Sequence, residues 1–364
     1  IVIEKALKLK TKNAALNPTV DDAPFKANSE TAATITGVWA VNASNITIQG
    51  FSFTGAARVK SYGPSTLGDL NNFVFENNYV YDTDEATVAW AESSSVTAGS
   101  ASADAAAPGF ISLYPLYTWL NNYKFLNNKF SNVSDTHIFM VCVHNATFIG
   151  NVFSGGDRDG IRFEYAATYG NIVIEDNVFE DLAYNGVYIR SYVGSPYAGD
   201  LYVNVYNNTF KNIGSAAATQ AVTSTRIGAI STRGYGETWS AYFNIKFNVF
   251  EDCANYISLR DNVTKYSDWA PKGKIWAAVI EYNAFIDVDG VDYYFQNLLN
   301  ASDTEETNTG NVLINHNYYG TDIVNQAVID EEQFGYHRAE ESNLVVYETL
   351  SALLAAIAAL EEGE

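Results

Sequence analysis

NIVIEDNVFEDLAYNGVYIR, residues Asn171 to Arg190, decides how the chain is read. It holds a short alternating strand, an Asn, an apolar pair, a polar turn and a second alternating strand. The same phrase recurs on both sides. FIGNVFSGGDRDGIRFEY spans Phe148 to Tyr165, VYNNTFKNI spans Val205 to Ile213, IKFNVFEDCANYISLR spans Ile245 to Arg260, and VIEYNAFIDVDGVDYYFQ spans Val279 to Gln296. Alternation by two is the signature of strands rather than helices.

Anchoring each unit on the Asn before its second apolar pair gives Asn78, Asn128, Asn151, Asn177, Asn208, Asn248, Asn283 and Asn317. Their spacings are 50, 23, 26, 31, 40, 35 and 34 residues. A floor near 23 with variable excess is what a solenoid requires: each coil has a minimum path, and insertions leave it as loops. Three short strands per coil fit that floor. The anchor residues, Asn128, Asn151, Asn177, Asn208, Asn248 and Asn283 among them, are expected to form a structural ladder. Where strands turn between sheets, backbone groups point inward without ladder partners, and a stacked Asn amide can bond them and the next Asn.

This pattern resembles the right-handed parallel β-helix superfamily, the pectin-lyase-like fold, over about residues 1–320. The expected class is therefore all-β, a three-sheet right-handed parallel β-helix over 1–338 with an inserted loop at about 83–120. Residues 339–364 would supply a strand and a C-terminal amphipathic helix. TLSALLAAIAAL, Thr349 to Leu360, carries that helix, with Thr349 as its N-cap. The helix either caps the last coil or opens the next module of a tandem array. The entry segments IVIEKALKLKTKNAALNP and ATITGVWAVNASNITIQGFSFTG are similar to the first coils of β-helix modules in large bacterial surface proteins. The resemblance implies an extracellular or cell-surface location.

Composition narrows the partners. With 21 Lys+Arg against 42 Asp+Glu, the formal net charge is −21. Nucleic acid is excluded as a partner, because its phosphates need a basic surface. No run is long enough to span a membrane. Cys142 and Cys253 fall at different positions of different units and are expected as buried thiols rather than a bridge.

Counting from the anchors, Phe139, Arg162, Tyr188 and Tyr294 share one position; Val141, Glu164, Arg190 and Gln296 share another two residues on. Residues two apart on a strand face the same side, and adjacent coils lie about 4.8 Å apart. Arg162, Glu164, Tyr188 and Arg190, with Arg260 nearby, are thus expected as one outward cluster. It could bind a polysaccharide, with Tyr188 as a stacking face, or stand as a surface salt bridge. As catalytic candidates, the arginines could neutralise a uronate carboxylate and abstract a proton, with Tyr188 as the acid. The calcium aspartates and Arg-Pro segment of pectate lyases, and most polygalacturonase motifs, are missing. Asp252, Asp287 and Asp289 line an acidic turn that is either a solvated edge or a calcium site. The expected function is a structural module of a larger fibrous or adhesive protein, stacked on neighbouring modules and making contact with a surface glycan. The alternatives are a polysaccharide lyase or glycoside hydrolase of the same fold, and a tailspike-like receptor-binding adhesin.

Overall fold

Short β-branched and aromatic runs, each broken by an Asn, Asp or Gly, cannot close a sheet on themselves, and they coil instead. The computed structural model describes residues 2–10, 33–61, 69–83, 111–113, 120–141, 143–163, 169–191, 200–215, 227–234, 240–259, 274–286, 293–295, 311–320 and 345–362. Their strands form three parallel sheets, one of ten strands and two of eleven. One coil shows the path. Val143–Ile149 lies in the second sheet, Val152–Gly156 in the third and Ile161–Phe163 in the first. Each pairs in parallel with the equivalent strand one coil on: Tyr169–Glu175, Val178–Leu182 and Val187–Ser191.

The turn from the second to the third sheet is two residues long and fixes the register. Its first residue is left-handed in every described coil from Gly50 to His316. In six of these coils it is Gly, Asn or Asp, the residues that bear a positive φ most easily: Gly50, Asn77, Asn127, Gly150, Asp176 and Asn207. The last three coils place Phe247, Tyr282 and His316 there instead. Their rings stack in sequence, at 5.6 and 4.9 Å between centroids. Tyr282 also packs against the cluster that seats the C-terminal helix. Packing thus offsets the unfavourable backbone geometry of bulky residues.

From Asn78 onward the second residue of the turn is the anchor Asn, and the amides form an unbroken relay. Asn78 donates to Asn128, and the chain continues through Asn151, Asn177, Asn208, Asn248 and Asn283 to Asn317. Each amide also donates to a carbonyl of the coil before it, as Asn151 does to Phe125. All eight are buried. From Asn128 onward, the rings two residues after each anchor stack along the core. Phe130, Phe153, Phe179, Phe210, Phe250, Phe285 and Tyr319 follow one another at 4.8–5.3 Å, within 12° of parallel. This offset stacking is the favoured geometry for adjacent rings.

Part of the expected loop at 83–120 belongs to the stack. Ile111–Leu113 is a strand of the first sheet, between Arg58–Ser61 and Ile138–Met140, and Ile111 is fully buried. Cys142 lies outside the described residues. Cys253 is buried and free, and burial pushes its thiol up to about 12. At the far end, Val346–Tyr347 extends the third sheet beyond Asn317–Tyr318, and helix Leu350–Glu361 follows. Thr349 caps it by accepting from the Ala352 N–H at 3.2 Å. The helix buries Leu353 against Ala284 and Tyr318 and leaves Leu354 and Leu360 exposed. No helix among the described residues is long and apolar enough to cross a membrane.

Candidate functional site

Ile161–Phe163 and Val187–Ser191 are neighbours in the first sheet, and their register sets Arg162 beside Tyr188. Ile161, Phe163, Val187 and Ile189 enter the core, so the residues between them face the other way. The guanidinium carbon of Arg162 lies 5.1 Å from the Tyr188 ring centroid, in cation–π range. Arg162 Nη1 donates to Asp159 Oδ2 at 3.0 Å. The other carboxylate oxygen of Asp159 accepts from Asn185 Nδ2 at 2.7 Å, and Asn185 Oδ1 accepts the Gly228 N–H at 3.1 Å. Nearer the turn, Arg158 approaches Asp135 at 3.7 Å and lies over the Tyr184 ring at 5.7 Å.

The expected cluster is corrected in one respect. Arg162 and Tyr188 do point away from the core, but they are not at the surface: their exposures are 8% and 6%. The whole row is buried, from Phe139 through Arg162 and Tyr188 to Ser231 and Ser258. An alternating pattern shows which face a residue takes, but carries no record of what lies over that face. A guanidinium held by an internal carboxylate and a ring is a buried ion pair, stable only while every partner is present. Its charge is neutralised from within, so it is poorly placed to neutralise a substrate acid.

Arg190 pairs by backbone with Arg233, a residue the counting did not single out. Glu164 and Arg260 lie outside the described residues. Tyr294 does not share the row of Tyr188. It lies between Tyr293 and Phe295, whose partners are Asn255 and Ile257, whereas Tyr188 leads through Ser231 to Ser258. Asp159 and Asn185 were also missed, although the three-residue spacing of Asp159 and Arg162 within DRDGIR was a usable signal.

The acidic turn has a conformational cause. Asp82, Asp181 and Asp252 occupy left-handed positions, in line with Asn132, Gly155 and Asn212 in the intervening coils. Asn132 Nδ2 donates to Asp82 at 3.1 Å, and Asn212 Nδ2 to Asp181 at 2.6 Å. Over the described coils the carboxylates are thus spaced by an Asn or a Gly. Among the described residues no three acidic, His or Cys groups converge as a metal site. Asp287 and Asp289 lie outside them.

Parallel strands coiled through three sheets, with an internal amide ladder and a ring stack, define a right-handed parallel β-helix. Residues 71–232 match the family model described as the right handed beta helix region. The sheets continue on both sides of that span, and the ladder runs on past it through Asn248, Asn283 and Asn317. No curated protein and no solved structure matches the chain.

Proposed function

We propose that this β-helix is a rigid, non-catalytic module of an exported, surface-attached protein, stacked with neighbouring modules of the same protein. The observation that carries the reading is the burial of the Arg162–Asp159 pair, which ties up the charge a lyase would need at that sheet. The unbroken Asn relay supports it, because every coil is locked to the next by buried hydrogen bonds. A net charge of −21 also suits a solvated extracellular surface.

The test is to incubate the protein with alginate, pectate and chondroitin and follow unsaturated products by ultraviolet absorbance. No product is expected. Product formation that disappears in Arg190→Ala would replace the scaffold reading with the polysaccharide lyase reading built on Arg162, Glu164, Tyr188 and Arg190.

A further inference from the structure

The outer face of the second sheet carries a different arrangement. Asp200–Tyr206 and Ser240–Lys246 pair in register, so that Tyr202 meets Tyr242 and Asn204 meets Asn244. The two tyrosine rings stack at 5.0 Å, 11° from parallel. Tyr202 is 44% exposed. The other exposed large apolar residues belong to the first and last described coils or to the C-terminal helix: Val2, Leu7, Val38, Leu313, Val345, Leu354 and Leu360. Tyr202 alone of this set stands in the middle of the solenoid. Exposure of a large aromatic there has no packing explanation, because both neighbouring coils are present.

A line of amides runs beside the rings. Asn244 Nδ2 donates to Asn204 Oδ1 at 3.1 Å, Asn204 Nδ2 donates to Asn171 Oδ1 at 3.4 Å, and Tyr206 Oη adds a bond to Asn204 Oδ1 at 3.0 Å. The line has two open ends. Among the described residues, none bonds Asn244 Oδ1 or Asn171 Nδ2, so an acceptor waits at one end and a donor at the other. After Tyr242 the next residue in the row is Ala277, reached across a register shift. The rim is acidic or internally neutralised: Asp200 accepts from Tyr202 Oη at 3.3 Å, and Lys246 pairs with Glu281 at 3.0 Å.

We infer that this tyrosine–asparagine face binds a neutral polysaccharide, a sugar ring packing against the stacked Tyr202–Tyr242 pair and the hydroxyls of the chain meeting the open ends of the amide line. A flat apolar ring face beside groups that both donate and accept matches the two sides of a pyranose. The two tyrosines stand on adjacent strands about 4.8 Å apart, close to the length of one sugar unit in an extended glycan. Acidic polymers are disfavoured, since Asp200 and the net charge of −21 repel them and the local Lys is already paired. The inference does not depend on the scaffold reading: binding here needs no catalysis, and turnover elsewhere would leave it standing.

Affinity electrophoresis tests it, with β-glucan, xylan or galactomannan cast in one set of gels and alginate or pectate in another. At least one neutral polymer is expected to retard the protein. Tyr202→Ala and Tyr242→Ala, both surface changes, are expected to weaken that retardation about tenfold, as loss of an aromatic stacking contact does. Their thermal unfolding should match the parent. The inference is overturned if no neutral polymer retards the protein, if both variants are retarded like the parent, or if retardation is confined to the uronate polymers.

Discussion

Asn177 Oδ1 accepts two hydrogen bonds from Asn151, one from its backbone N–H and one from its side-chain amide, each at 2.9 Å. The Asn177 amide in turn donates to Phe148 O, Glu175 O and Asn208 Oδ1. One side chain thereby satisfies polar groups on four other residues, all but the Glu175 carbonyl in buried bonds.

Asn177→Ala should therefore cost more than an ordinary buried hydrogen bond. It strands the Asn151 N–H and the Phe148 carbonyl, at about 1–3 kcal/mol for each orphaned group. Chemical denaturation should show a loss of about 3 kcal/mol or more. Asn177→Asp at neutral pH should be at least as damaging, since a carboxylate keeps the acceptors and loses both donors.

Arg162 and Asp159 should behave as a unit. Arg162→Met leaves a carboxylate of 1% side-chain exposure without its cation, and a loss of about 3–5 kcal/mol is expected. Adding Asp159→Asn removes the stranded charge while keeping an acceptor for Asn185, so much of the loss should return. A double-mutant cycle by denaturation measures the coupling. Additive losses would mean that the pair is not a unit.

Stability should fall on mild acidification through His137. It is fully buried, its ring packs beside the stacked pair of Phe130 and Phe153, and its Nε2 bonds Gly155 O at 3.1 Å. Burial holds the imidazole down from 6.5 to about 4. Between those values the unfolded chain binds a proton that the folded one refuses, so stability drops as pH falls from 6.5 toward 4. Such a shift corresponds to about 3 kcal/mol over the whole window. His137→Phe should flatten that part of the pH profile of thermal unfolding.

Gly186→Ala should destabilise by overpacking. A Cβ there would meet the Phe210 ring at 2.7 Å and the Ala229 carbonyl at 2.8 Å. Overpacking of this kind costs about 1–3 kcal/mol. The loss should shrink in Gly186→Ala combined with Phe210→Leu, because the smaller side chain can move aside.

The internal architecture was legible in the sequence because it repeats. Asn recurs at every anchor and a ring follows two residues later from Asn128 onward, and both columns face the interior, where coil after coil imposes the same demand. The outer faces repeat less. Arg162 and Tyr188 were correctly paired by counting, since the turn before them has the same length in both coils. The count failed at Tyr294, where the turn between the third and first sheets changes length. Burial of the Arg162 row was beyond reach for a different reason: cover over a strand comes from segments with no fixed register to it. The Tyr202–Tyr242 pair was within reach, since Tyr-x-Asn occurs at Tyr202 and again at Tyr242, forty residues on.

The amide relay runs in one direction only, each Asn passing its donor forward to the next coil. Every lap therefore presents the same socket behind and the same plug ahead. Excising a full lap, from Asn151 through Asp176, and joining Gly150 to Asn177 would mate Asn128 to Asn177 with no member of the amide relay left unpaired. Losing those 26 residues should disturb the rod less than losing the amide of Asn177 alone, which makes the lap, rather than the residue, the unit in which such a protein can be shortened or lengthened.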